Sequence, residues 1–330
     1  MVHHSVVVIT GGASGIGQAL AQAFYGDEGT AHVVVIVDLD MSRCQVAVEE
    51  IQQRTTVLDH APNRGASWLR AIPCDVTDAH QVQEMIRTVT QDYGRIDIYC
   101  SNAGRIFLDS SADRNNRDAM TRKYSNEQWD QLWKLHVQSH VLAARALLPD
   151  WENAHSHSPR QQQQRKPIFC ITASAAGLLT MIGDASYGVT KAAAISFAEH
   201  LAIAHPHIQV HCLCPQAVDT PLLNVKGGGG GGGGSLSLAA NAATTNGVVS
   251  AEYVAKCTLQ AMRQQDTFWI FPHPQVADYV KHKAMDHARW LKGMQRFQQR
   301  LFSSSNQSET TNPPATQQPQ PPQQRLQSHL

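Results

Sequence analysis

Ser174, Tyr187 and Lys191 are the residues of this sequence whose types and spacing could do chemistry. Tyr187 and Lys191 stand four apart, so a helix puts both on one face, one turn from each other. A free tyrosine titrates near ~10, too high to exchange protons easily at neutral pH. A cation held beside it favours the phenolate and brings that value toward the working range. Ser174 offers a second hydroxyl that could hydrogen-bond the same substrate oxygen. Taken alone, Tyr-x-x-x-Lys equally fits a surface tyrosine and a solvated lysine, so the elements that must position these residues decide its meaning.

The apolar, β-branched run Ile168 to Thr172 reads as a buried strand ending just before Ser174. The alanine-rich stretch from Asp184 to about Ala204 reads as the helix carrying Tyr187 and Lys191. Near the N-terminus, the strand at 5–10 runs directly into Gly11-Gly-Ala-Ser-Gly15-Ile16-Gly17 and a helix to about Tyr25. Strand, glycine turn and helix can bind a pyrophosphate, because glycines permit close backbone approach and the helix start presents unpaired N–H groups. A second strand, Val33 to Val37, ends at Asp38, an acid placed to meet the adenosine ribose hydroxyls and to repel a 2′-phosphate. Ser14 and Leu39 are uncharged, which favours NAD over NADP as cofactor. Asp40 could make the ribose contact instead, and Asp38 could cap the next helix.

Further along come a helix at about 43–53, a polar insertion at 54–66, a strand from Trp68 to Cys74 ending in Asp75-Val76, and a helix at 78–92. A strand from Ile96 to Cys100 then leads into Ser101-Asn102-Ala103-Gly104. This alternation predicts a Rossmann-type, doubly wound parallel sheet in an α/β/α sandwich, with Asp75, Asn102 and Gly104 at carboxyl ends of strands, where such sheets bind ligands. A surface loop is expected at 105–125 and a long helix at about 126–150, with Pro149 near its end. A low-complexity loop at 153–166, a strand at 208–213, a helix at 250–264, a strand at 268–271 and a closing helix at 275–301 complete one domain of residues 1–302. Eight glycines at 227–234 read as a disordered expansion inside a mobile 224–247 loop, and the Gln/Pro/Ser-rich residues 303–330 as a disordered tail.

Lys+Arg and Asp+Glu number 27 each, so no global field points to nucleic acid or an anionic membrane, and no apolar run is long enough to span a bilayer. Val6 to Ile9 is too short for a secretory signal, and several of the seven cysteines fall in predicted strands, as buried reduced thiols do. Cys212-Leu-Cys214 lies within one strand and lacks a second ligand pair, so no metal is expected.

Read together, these pieces resemble the short-chain dehydrogenase/reductase family over roughly residues 5–300. Thr10-Gly11-x-x-x-Gly15-x-Gly17, Asp38, Asp75-Val76, Asn102-Ala-Gly104, Ser174, Tyr187-x-x-x-Lys191 and Pro215 to Thr220 stand in the family's order. The resemblance implies that Tyr187 is the general acid/base, that Lys191 lowers its pKa and binds the nicotinamide ribose, and that Ser174 orients the substrate oxygen. By the same resemblance Gly11, Gly15, Ile16 and Gly17 approach the cofactor pyrophosphate, Asp38 takes the adenosine ribose, and Asp75 and Val76 neighbour the adenine. Asn102 and Gly104 line the cleft and Thr220 holds the nicotinamide end. The implied activity interconverts a secondary alcohol and a ketone with NAD, in a homodimer or homotetramer joined through the two long helices.

Two positions depart from the family's pattern. His136 stands where many members carry an asparagine that supports a proton relay; it could keep a backbone carbonyl there or relay protons itself, since imidazole titrates near neutrality. Gln216 follows Pro215, where a glycine is frequent. The cleft neighbours Leu178, Met181, Ile182, Leu222 and Leu223 imply a substrate with hydrophobic bulk. The chain's expected location is cytoplasmic, or peroxisomal if Ser328-His329-Leu330 acts as a C-terminal import signal. A second reading, prompted by His136 and the low-complexity insertions, is a catalytically weak NAD-binding sensor or scaffold.

Overall fold

The computed structural model describes residues 5–27, 32–58, 68–107, 124–156, 165–223, 246–264 and 267–307. The expected insertions at 54–66, 105–125, 153–166 and 224–247, the glycine run and the tail fall largely outside these residues.

The strands are β1 (Ser5–Thr10), β2 (His32–Asp38), β3 (Trp68–Pro73), β4 (Ile96–Ser101), β5 (Ile168–Thr172), β6 (Gln209–Leu213), β7 (Val218–Asp219), β8 (Val249–Ser250) and β9 (Trp269–Ile270). Seven form one sheet in the order β3-β2-β1-β4-β5-β6-β9, every pairing parallel. Val7, Val8 and Ile9 and their neighbours Val34, Val35 and Ile36 have essentially no exposed surface, since helices cover both faces of the sheet. The strand order reverses between β1 and β4, so the crevice outside their carboxyl ends is where a doubly wound sheet takes its ligand. Strands β7 and β8 form a small separate pair that the sequence pattern did not signal.

The helices are α1 (Gly15–Tyr25), α2 (Met41–Leu58), α3 (Ala79–Tyr93), α4 (Asn126–Trp133), α5 (Ser139–Ser156), α6 (Ala175–Leu179), α7 (Ala185–Ala204), α8 (Ala251–Met262), α9 (Gln275–Met285) and α10 (His287–Gln307). A π-helical turn, Lys134–Gln138, joins α4 to α5, so the expected 126–150 helix is an interrupted one and runs on to Ser156. Pro149 lies inside it rather than at its end. The helix continues because Trp151 is buried, packs edge-on against Phe169, and donates its indole N–H to the Ile96 carbonyl at 2.8 Å. Helix α2 likewise outruns its expected end, through Leu58.

The closing helix is two helices. Asp286 leaves helical geometry between α9 and α10 and accepts the Arg289 amide at 2.9 Å, capping α10. Helix α10 extends past residue 302 to Gln307. The cysteines among the described residues are free thiols, all buried except the partly exposed Cys257.

Candidate functional site

The glycine turn is shaped by contacts that leave no room for side chains. A Cβ on Gly17 would lie 2.1 Å from the Gly11 carbonyl oxygen, and one on Gly11 would lie 2.9 Å from the Ala103 Cα. Gly11 and Gly15 also adopt φ of 63° and 53°, which disfavour any side chain. Ser14 precedes α1 without a side-chain capping bond, so the first N–H groups of that helix are not claimed by its hydroxyl. These features fit a pyrophosphate.

Asp38 sits at the end of β2 and accepts the Ala13 amide at 3.2 Å and the Leu39 amide at 2.9 Å, fixing the glycine turn against the strand end. Asp40 makes the tight turn into α2 by accepting the Ser42 amide and hydroxyl at 2.8 and 2.7 Å. The cap of α2 is therefore Asp40, and Asp38 is left facing the cavity. Asp75 accepts the Thr77 amide and hydroxyl, holding a turn that lines the cavity together with Val76. Asn102 ties β4 to β1: its side chain donates to the Thr10 carbonyl at 3.0 Å, and its amide donates to the Thr10 hydroxyl at 2.9 Å. Thr220 rests against the turn, 3.2 Å from where a Gly15 Cβ would be.

Ser174, Tyr187 and Lys191 meet at the other end of the same cavity, a cleft of about 1320 Å³ that also includes Gly11, Gly15, Ile16 and Thr220 in its walls. Ser174 caps the short helix α6, accepting the Ala176 amide at 3.1 Å, and its hydroxyl neighbours the Tyr187 phenol. Lys191 is buried and donates to the Thr172 carbonyl at 2.8 Å, with its ammonium 5.8 Å from the Tyr187 ring centre. Burial pushes Tyr187 up to about 12, the Ser174 hydrogen bond pulling the other way, and burial brings Lys191 down to about 8. The expected lowering of the phenol is thus outweighed by its desolvation.

His136 lies on the π turn, fully buried, with its ring edge-on to Tyr187 at 5.4 Å. Its Nε2 accepts the Arg105 amide at 3.2 Å, which leaves Nδ1 to carry the proton and donate to Thr190 Oγ1 at 2.9 Å. The Thr190 hydroxyl in turn donates a hydrogen bond to the Ser186 carbonyl at 2.8 Å. Burial, with the Lys191 charge added, holds the imidazole well below its usual titration range. It is a neutral ring with both nitrogens engaged, rather than a group titrating near neutrality. Gly104 sits between His136 and Lys191, its missing Cβ 3.6 Å from both Nε2 and Nζ.

Two contributors were not singled out from the sequence. Asp184 is buried and caps α7, accepting the Tyr187 amide at 2.9 Å, the Ser186 hydroxyl at 2.8 Å and the Tyr124 hydroxyl at 2.7 Å. Its place three residues before Tyr187 is the spacing of an N-cap, and that was the available signal. Helix α10 supplies Trp290, Met294 and Phe297 to the cavity wall, a stripe at helical spacing. Gln216 ties the loop after Pro215 to this C-terminal region: its amide donates to His273 Nδ1 and its side-chain carbonyl accepts from Asn246, both at 3.2 Å.

The sequence profile described as short chain dehydrogenase matches residues 5–227. The chain belongs to the short-chain dehydrogenase family. It is therefore an oxidoreductase of the type that acts on CH–OH groups with a nicotinamide cofactor. Among characterised relatives, 1-deoxy-11-beta-hydroxypentalenate dehydrogenase of Streptomyces exfoliatus is 29% identical over 267 residues, 80% of this chain and 81% of that protein. The peroxisomal hydratase-dehydrogenase-epimerase of Neurospora crassa is 30% identical over 206 residues, 60% of this chain and 19% of that longer protein. A short-chain dehydrogenase/reductase of Burkholderia phymatum in complex with NAD superposes with a TM-score of 0.65 at 22% identity, over 86% of this chain and 94% of that one. An alcohol dehydrogenase from Thermococcus sibiricus, complexed with 5-hydroxy-NADP, gives 0.61 at 19% identity, over 82% and 96%. These two structures share the fold; one holds an NAD-type and the other an NADP-type cofactor.

Proposed function

We propose that the chain interconverts a secondary alcohol and a ketone of hydrophobic bulk, using NAD, with Tyr187 exchanging the proton. The observation that carries this reading is the convergence of the Tyr187, Ser174 and Lys191 side chains on one cavity shared with the glycine turn. Bound there, the nicotinamide supplies or accepts the hydride. Tyr187 then gives the substrate oxygen its proton in reduction, or takes it in oxidation, while Ser174 holds that oxygen by its hydroxyl. Lys191, anchored on Thr172, places a positive charge beside the phenol and favours its ionised form. His136 acts as a positioning residue: it holds Thr190 and the Arg105 backbone, and its ring backs Tyr187.

Asp38 facing the cavity supports NAD, since a carboxylate there disfavours a 2′-phosphate. Apolar side chains in the walls, among them Leu179, Met181, Ile182 and Leu222, support a bulky apolar substrate. Exposed Trp133, Val189 and Ile203 on helices α4 and α7 support a homo-oligomer formed through those helices. Among the described residues no helix is long and apolar enough to cross a membrane. Ser328-His329-Leu330 and the peroxisomal relative support peroxisomal import, which a fluorescent fusion with and without the last three residues tests.

The test of activity is a panel of steroid, acyl and small secondary alcohols with NAD or NADP, followed by nicotinamide absorbance. Turnover of at least one bulky member with NAD is expected. Tight cofactor binding without turnover of any member would instead mark a binding or sensor protein.

A further inference from the structure

The acids in the cavity wall are confined to one end, where the basic Arg43 stands among them. Among the described residues its acids are Asp38, Asp40 and Asp75, all at the strand ends assigned to the adenosine half. At the other end, beyond Lys191, the charged residues are Arg105, Lys134 and Arg300, with no acid among them. Arg105 follows Gly104 directly and its amide is fixed to His136 Nε2, so it leaves the backbone next to the residue whose missing Cβ lies 3.6 Å from Lys191 Nζ. Its guanidinium lies 4.3 Å over the Phe107 ring. Lys134 opens the π turn that carries His136.

Helix α10 closes the same end. It turns Trp290, Met294 and Phe297 to the cavity, and over residues 287–307 it carries Arg289, Lys292, Arg296 and Arg300 with no Asp or Glu. Arg300 lies 5.9 Å over the Phe297 ring. The preceding helix α9 anchors this unit on the catalytic layer, where Lys283 donates to the Leu178 carbonyl. An apolar chamber with a rim of one sign attracts and holds a ligand of the opposite sign.

We infer that the substrate is an apolar alcohol or ketone bearing an anionic group, its body against α10 and its anion among Arg105, Lys134 and Arg300. This rests on the dehydrogenase reading above and adds the charge of the substrate to it. The anion is either the substrate's own carboxylate or the phosphates of a carrier to which an acyl chain is joined.

The test uses the full chain and one medium-chain hydroxy fatty acid in three forms: the free carboxylate, its methyl ester and its coenzyme A thioester. Both turnover with NAD and calorimetric binding in the presence of NAD are measured. The expected result is kcat/KM and affinity at least about tenfold above the ester for one of the anionic forms, through charge-assisted hydrogen bonds. Whichever anionic form is preferred names the source of the anion. Arg105→Gln with Lys134→Gln, and separately Arg300→Gln, should shrink that ratio toward one. An ester that matches or exceeds both anionic forms overturns the inference and leaves the dehydrogenase reading standing, as does a ratio unmoved in both variants. Preferential binding of an anionic form without turnover of any form supports the anion site and counts against the dehydrogenase reading.

Discussion

Lys191 reaches past Tyr187 to the carbonyl oxygen of Thr172, which its ammonium contacts at 2.8 Å. That bond joins α7 to the end of β5, the strand that leads to Ser174. The cation is therefore held by the sheet, 5.8 Å from the phenol ring centre, and its position does not depend on the rotamer of an exposed side chain.

The pH dependence of the reaction should reveal this arrangement. Burial places Tyr187 at about 12 and Lys191 at about 8. Oxidation of an alcohol needs the ionised phenol, so its kcat/KM should rise with pH on the alkaline side. Reduction of the ketone needs the protonated phenol, so it should hold through neutral pH and fall as pH rises toward the phenol's titration. Lys191→Met removes the cation, which should move the oxidation limb to higher pH and lower the rate about hundredfold at a fixed pH near 7, below the titration of Lys191. Profiles of kcat/KM in both directions check this, and an unmoved limb in the variant would contradict it.

His136→Asn should keep activity within about tenfold, because the neutral imidazole holds neighbours rather than exchanging protons. The pH profile of kcat should keep its shape. A thousand-fold loss with a changed profile would show that the ring itself carries the proton.

Asp38→Ser should lower kcat/KM with NAD by about tenfold or more and raise it with NADP, since the carboxylate that repels a 2′-phosphate is removed and Arg43 lies in the same wall. The ratio of kcat/KM for the two cofactors is the measurement. A ratio unchanged by the substitution would move the ribose contact away from Asp38.

Acid should destabilise the fold through its buried histidines. Burial lowers His140 to about 3 and His211 to about 4, and His136 is held neutral as well. The unfolded chain binds protons at these groups below about 6.5, so stability is full above that value and falls as pH drops toward 4. Each such group contributes a slope of up to about 1.4 kcal/mol per pH unit in that window. Urea denaturation midpoints across the range check the slope, and His211→Gln should flatten it.

The features legible in the sequence are those set by local pattern. The near-continuous apolar runs at Val6–Ile9 and Val33–Val37 announced strands buried on both faces, and Gly11, Gly15 and Gly17 announced a turn whose contacts exclude a Cβ. What was hidden depends on contacts distant in sequence. Pro149 marked a helix end by its chemistry, yet the bond from Trp151 to Ile96 carries the helix through it. The π turn around His136 has no propensity signature, and the break at Asp286 shows only in its capping bond to Arg289. The fall of Lys191 and the rise of Tyr187 follow from burial, which residue spacing does not report. Helix α10 lies far from the recognised motifs in sequence, so its place in the cavity wall was visible only once the chain was folded.

The most direct measurement is turnover of a secondary alcohol by Tyr187→Phe beside an independent measurement of its NAD affinity. The phenol's proton transfer is predicted to be worth about a thousandfold in kcat, with the affinity for NAD kept within a few-fold of the unaltered chain. Undiminished turnover in that variant would contradict the account, whatever its cofactor affinity.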